Sequence, residues 1–357
     1  LFLVKWTDVF QPGDLWNNYS YMVWGSMIYA SSKNMILALA CMIVLNLYSL
    51  LTAELIANRW SNYYNYPNCT IIAMHNIEPA LFAVAIDPLF NKLGLNKVKL
   101  NPENLQKKLG FFGEPIALGL LLGILIGILG NLHALNVLKS WGQIATVGIA
   151  TSAIMAIFPK IAGIFAQAFL PLTEAARKSA MKDGKGRKWF LGVNDATGYG
   201  EPATLISGII LIPIMVLIAM ILPGNRTLPV VDLIAIPFMV EGIVCLVNGN
   251  ILKVIITGII WFTLGLYMCS YTAPLFTSIA ATSGVTLPVG ALMVTSFNVI
   301  GKPIYGLIFL AFLSKSPILI AAVVIIYLVL WFLFRKNKTA IYDYLEKNAL
   351  KNEAIEE

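Results

Sequence analysis

The chain has 357 residues, of which 58% are hydrophobic and only 12% charged, and its mean hydropathy is +0.78. A soluble domain carries about twice that charge to cover its surface, so the composition excludes an ordinary cytosolic enzyme and makes lipid the main solvent. The net charge of +7 does not argue for nucleic acid, because the basic residues gather in loops between apolar runs, as orientation in a membrane requires.

In chain order, the sequence starts with LFLV and Lys5 and shows no signal-peptide pattern; with Leu rather than Met at position 1, an N-terminally incomplete sequence is expected. The first long apolar run, Asn34 to Ile56, reads as a span, with Arg59, Trp60 and the aromatic segment 61–70 at headgroup level. Residues 71–90 carry His75, Glu78 and Asp87 and are too polar for a lipid-facing helix, so a partly buried hairpin is expected. The Lys-rich stretch 91–108 is expected to be a cytoplasmic loop. An apolar helix follows up to Gly130, with Gly119, Gly123 and Gly127 on one face for close approach of another helix.

Residues 144–171 read as one or two spans, broken near Pro159. The basic island 172–190 is expected to be a cytoplasmic loop, and the turn 223–229 to face outward. Segments 233–247, 251–269 and 317–334 read as membrane helices. Residues 272–313 are short apolar pieces of the kind that form re-entrant hairpins. The tail 335–357 reads as a solvated amphipathic helix on the cytoplasmic side. The fold class expected is an all-α integral membrane protein: a polytopic helical transporter with discontinuous helices, re-entrant hairpins and an internal repeat. Residues 1–334 form its transmembrane domain.

From Val193 to Phe334 there are only eight charged residues: Asp195, Glu201, Arg226, Asp232, Glu241, Lys253, Lys302 and Lys315. The tripeptide Gly-Glu-Pro occurs at 113–115 and again at 200–202, each time before a long apolar helix. Proline suits the first helical turn, glycine lets the chain turn in tightly, and a carboxylate is favoured by the helix dipole. Glu114 and Glu201 are therefore either capping residues or ligands for a hydroxylated solute at a helix tip, with Gly113 and Gly200 supplying the tip backbone. Asn194 and Asp195, just before the second copy, add amide and carboxylate acceptors suited to a polyol.

His75 either meets a ligand hydroxyl at a hairpin tip or is an interfacial histidine without special role; His133 reads as a surface residue. Asp232 is either an ionisable group at membrane depth or a helix cap, and Lys302 a partner for one of the carboxylates. Four cysteines without CxxC spacing indicate neither disulfide nor metal, and the absence of a GxxxxGK[ST] loop excludes P-loop ATP hydrolysis. No cofactor, no metal and no self-contained catalytic centre are expected.

The runs KLGFFGEPIALGLLLGILIGIL (108–129), FLGVNDATGYGEPATLISGIILIPI (190–214) and ILPGNRTLPVVDLIAIPF (221–238) resemble, in order and spacing, the galactitol family of phosphotransferase-system (PTS) membrane components, enzyme IIC. A weaker likeness extends from Asp14-Leu15-Trp16-Asn17 to the tail. The resemblance implies group translocation. An external polyol or sugar is bound and carried inward and is phosphorylated by a partner EIIB, which receives its phosphoryl group through EIIA. It implies a multi-pass protein of the bacterial inner membrane, a homodimer, and a docking role for the basic 172–190 loop. Some members carry Gly-His where this chain has Gly200-Glu201, which makes Glu201 a tuner of substrate preference rather than obligatory. The rival reading from the residues is an ion- or proton-coupled secondary transporter of a small polar solute, with Glu114 and Asp195 as proton sites.

Overall fold

Prolines and short polar caps divide the chain into its helices. A computed structural model describes residues 1–98, 100–182, 188–229, 232–287 and 292–352. Helices α1 (Leu15–Ser32) and α2 (Met35–Tyr63) start on Asp14 and Asn34, whose side chains accept from the N–H of Asn17 and Leu37 and so satisfy donors that a helix start leaves free. Proline occupies the first turn of α4 (Pro79–Lys92), α5 (Pro102–Leu109), α6 (Pro115–Gly130), α8 (Pro202–Ile221), α9 (Ile236–Leu246), α12 (Pro303–Leu313) and α13 (Pro317–Leu350). The remaining helices are α3 (Met74–Ile77), α7 (Leu138–Lys182), α10 (Ile251–Thr282) and α11 (Phe297–Ile300).

Five helices are long and apolar enough to cross a membrane: Met35–Tyr63, Leu138–Ile157, Pro202–Ile221, Ile251–Thr282 and Pro317–Leu350. The protein is an all-α, multi-pass membrane protein. More than half of the apolar stretch of α8 is buried against protein but only 11% of that of α13, so α8 is an inner helix and α13 turns most of its side chains to lipid. Helix α9 is buried along almost its whole length. Helices α6 and α7 pair through the glycine face read from the sequence: a Cβ on Gly123 would stand 2.8 Å from the Cα of Gly148, and one on Gly127 2.9 Å from the Cα of Ile144. Only hydrogen at these positions lets the two backbones come this close.

The structure corrects or completes the sequence reading in several places, and residues 272–282, read among the short re-entrant pieces, instead complete α10. Pro159 does not break a span, since α7 is one helix of 45 residues that continues into the basic island; residues 183–187 of that island lie outside the described residues. Trp60, Tyr64 and Tyr66 are buried against protein, and Arg59 beside them donates to the carbonyl of Cys245 (2.7 Å) and to Glu346 and Asn248. The charged tail is a helix exposed along one face and held against the protein on the other. It continues α13 past a kink at Asn337, and Arg335 and Lys338 each bridge Asp8 and Glu54 at 2.6–3.0 Å, with Leu345, Asn348 and Ala349 buried beyond.

A small parallel sheet positions the polar side chains. Strand β3 (Phe190–Val193) lies between β1 (Val9–Phe10) and β2 (Cys69–Ile71), with Val9 opposite Phe190 and Ile71 opposite Val193. Gly192 permits the close fit, since a Cβ there would lie 2.7 Å from Ile72 and 2.9 Å from the Phe10 carbonyl oxygen. Because β2 and β3 are parallel and in register, the residues that follow them, 72–76 and 194–195, leave the sheet on the same side.

Candidate functional site

At that end of the sheet, β2 runs into α3, which carries His75 and Asn76, and β3 runs into a short turn of 3₁₀ helix at Asp195–Thr197. Asn194 caps this turn by accepting from the N–H of Ala196 at 2.8 Å. Asp195 is completely buried. One of its oxygens accepts from the indole N–H of Trp16 at 2.9 Å, the other from the Asn76 amide, and the Nε2 of His75 stands 4.0 Å away. The Nδ1 of His75 pairs with the Ser20 hydroxyl at 2.8 Å, which orients the ring, and Tyr19 packs on it with ring centres 4.8 Å apart. Helix α1 supplies Trp16, Tyr19 and Ser20 from successive turns. The cluster is closed at His75 and Asp195 and reaches the molecular surface at Trp16, which is 49% exposed.

Burial sets the charge state here. It pushes the Asp195 carboxyl, which lies outside the long spans, up to about 6, against the opposing hydrogen bond from Trp16. Burial also lowers His75 to about 3, so at neutral pH the ring is uncharged and acts as one donor and one acceptor.

A second segment faces the first. Residues 296–303 run through α11 to the start of α12 and are held by two carboxylates from elsewhere. Asp232 accepts from the Ser296 hydroxyl (2.9 Å) and the Asn298 N–H (3.1 Å), while Glu78 accepts from the N–H groups of Ile304 (2.6 Å) and Tyr305 (3.0 Å) and from Trp261 (3.1 Å). Asp232 thus caps a helix, but the distant α11 rather than its own. Tyr19 lies between the segments, beside Asp195, Asp232 and Asn298.

Four buried polar atoms of the two segments lack a hydrogen-bond partner among the described residues: Nε2 of His75, Oδ1 of Asn76, Oδ1 of Asn298 and Nζ of Lys302. An unpaired buried polar group costs about 1–3 kcal/mol, so proteins keep such groups in number where a ligand or water completes them. Donors, acceptors and aromatic faces together suit a molecule rich in hydroxyls. The 790 Å³ cleft beside Arg226, Tyr267 and Pro303 is lined by none of His75, Asp195 or Lys302.

Of the residues singled out from the sequence, His75, Asn194 and Asp195 come together here. Glu201 sits apart at the start of α8, where its carboxylate accepts from the N–H of Ala203 (3.0 Å) and Thr204 (2.7 Å), the Thr204 hydroxyl (2.8 Å) and Tyr63 (3.0 Å). Gly200 precedes it and is buried. Glu114 caps nothing: it is half-buried at the start of α6 and its side chain has no hydrogen bond or ion pair among the described residues, while neighbouring Gly113 ends a short turn of 3₁₀ helix. The residues that the sequence reading missed are Trp16, Tyr19, Ser20, Asn76 and Asn298. The signal for the first three was the run WNNYSY, where polar and aromatic side chains recur three and four apart on one face of a helix. Among the described residues no group of three His, Cys, Asp or Glu is arranged to hold a metal ion, and all four cysteines are free and buried.

Short helices broken around buried hydrogen-bonding side chains, within a set of long apolar helices, are an arrangement that solute-translocating membrane proteins use. The sequence comparisons narrow that class. Residues 1–290 match the model of the EIIC-GAT family, described as the PTS system sugar-specific permease component, and the chain belongs to that family. It is 28% identical over 272 residues to a putative permease IIC component of Escherichia coli K12, covering 76% of this chain and 61% of the relative. It is 27% identical over 304 residues to the galactitol-specific EIIC component of the same strain, covering 85% of this chain and 65% of that relative. The chain therefore spans less than two thirds of the length of these curated relatives. No solved structure matches it.

Proposed function

We propose that this chain is the membrane subunit of a phosphoenolpyruvate-dependent phosphotransferase system that binds galactitol or a similar polyol or sugar and carries it across the bacterial inner membrane, where a partner EIIB, itself charged by EIIA, phosphorylates it. The observation that carries this reading beyond family membership is the buried cluster of His75, Asn76 and Asp195, where unpaired polar atoms meet the faces of Trp16 and Tyr19. In this reading Asp195 and Asn194 accept from substrate hydroxyls and His75 exchanges a hydrogen bond through Nε2. Glu114, free at its helix start, and Glu201, held as a cap, act on substrate to different degrees. The membrane subunit binds and positions; the phosphoryl group is transferred from its partner. The basic end of α7 serves as the EIIB docking surface, and the working unit is a homodimer.

A second reading, an ion- or proton-coupled transporter, starts from Asp195 as a fully buried carboxyl, which burial pushes up to about 6. Uptake into membrane vesicles separates the two. Accumulation of sugar phosphate that requires phosphoenolpyruvate and the soluble partners supports the phosphotransferase reading; accumulation of free substrate driven by an ion gradient overturns it.

A further inference from the structure

The surroundings of Lys302 are unusual, and among the described residues it does not pair with a carboxylate, the partner that its position in the sequence suggests. It is completely buried, it follows Gly301 at the break between α11 and α12, and its ammonium makes no hydrogen bond or ion pair among the described residues. The groups that act on it electrostatically are Glu78, Cys269, Asp232 and Asp195, three of them carboxylates. Each carboxylate is already engaged: Glu78 by the start of α12 and Trp261, Asp232 by Ser296 and Asn298, Asp195 by Trp16 and Asn76. A buried ammonium that served only as a counter-ion would close onto one of these oxygens, because a paired and hydrogen-bonded buried charge is far less costly than a separated one. Instead its three N–H donors remain free, as do the amide oxygen of Asn298 four residues earlier and the Nε2 of His75, which feels the Lys302 charge.

The backbone is built to hold Lys302 there. Carboxylates from α4's start and from residue 232 fix both ends of the 296–303 segment, and α10 presses against it so closely that a Cβ on Gly265 would lie 2.5 Å from the carbonyl oxygen of Gly301. The side chain is thus presented by a clamped segment rather than by a mobile loop.

We propose that Lys302, with Asn298, is a substrate-binding residue: it donates to hydroxyls of an uncharged polyol held between the 296–303 segment and the His75–Asn76–Asp195 cluster. This assignment rests on the sugar-permease reading. The class of ligand follows from the charges. Three carboxylates surround one ammonium, so the site as a whole is negative and suits a neutral polyhydroxylated molecule, whereas a sugar acid of the same skeleton adds a like charge.

The test is calorimetric binding of galactitol, with a panel of other hexitols and aldohexoses, to the purified full chain in detergent. Lys302→Met is expected to bind about 10- to 100-fold more weakly, the effect of losing a charge-assisted hydrogen bond. If Lys302 serves only to neutralise Glu78, the double variant Glu78→Gln/Lys302→Met restores binding; if Lys302 meets the substrate, the double variant folds and stays weak. Wild-type affinity in a folded Lys302→Met, or recovery in the double variant, overturns the proposal and leaves the permease reading intact. Failure of the wild type to bind any member of the panel overturns the permease reading and this assignment with it. Galactonate is expected to bind at least about 10-fold more weakly than galactitol, and equal binding would overturn the neutral-ligand class.

Discussion

Glu114 and Glu201 begin two helices with the same tripeptide and almost the same backbone, φ −65° and ψ 137° against φ −70° and ψ 134°, yet their carboxylates have opposite fates. Glu201 folds back onto its own helix and is held by four donors, whereas Glu114 is left without one among the described residues. Two local differences account for this. The third residue after the glutamate is Thr204 in one copy, whose hydroxyl donates to the carboxylate, and Ala117 in the other; and Tyr63 of α2 reaches only the second copy. The tripeptide encodes a way for a chain to enter a helix. What the glutamate does next is decided by its neighbours.

The starts are also secured differently, and the variants that test this rank by expected effect. Helix α6 relies on its glycine face against α7, so Gly123→Leu, which overpacks that contact, is expected to lower stability by about 3 kcal/mol in denaturant unfolding in detergent, with α8 unaffected. An unchanged unfolding midpoint would show that the glycine face does not anchor α6. Helix α8 relies on its cap, so Glu201→Ala is expected to cost about 1–2 kcal/mol in the same measurement. Asp195, shortly before the engaged glutamate in the chain, gives a pH signature. Its carboxyl takes up a proton below about 6, so ligand affinity is expected to fall as pH drops from 7 to 5, approaching tenfold one unit below the transition, and Asp195→Asn is expected to abolish that dependence. Stability moves the other way. Because the folded state holds this proton more tightly than the unfolded chain, the Asp195 contribution rises as pH falls from about 6 toward the ordinary carboxylate range. Glu114→Gln is expected to change stability by less than about 0.5 kcal/mol, as for a residue without partners, while weakening substrate binding strongly by calorimetry. A clear loss of stability there would mean that both glutamates are structural.

Much of the scaffold was legible in the sequence. The spans at α2, α8, α10 and α13 follow from length and lack of charge, the α6–α7 contact from glycines four apart, and the helix starts from Gly-Glu-Pro. The polar cluster was legible only in part. Asp195 and His75 stood out as polar residues in apolar company, but Asn76 meets Asp195 across 119 residues through parallel strands of three and four residues, too short to leave an alternating pattern. The tail misled for a related reason. Arg335 and Lys338 look like solvent-facing charges until Asp8 and Glu54, both remote in the chain, come beside them.

That same clamp bears on how the protein is made. Asp8 and Thr7 sit beside β1, whose partner strand begins at Phe190, and Asp8 is locked by Arg335, 327 residues further on. Synthesis at about 5–20 residues per second leaves this segment waiting from roughly a quarter of a minute to about a minute for its ion partners, while the intervening helices are inserted around it. The step that seats α13 is therefore also the step that clamps the segment beside β1, and a chain stopped short of Arg335 would have its preceding helices in the bilayer but Asp8 without its ion partners.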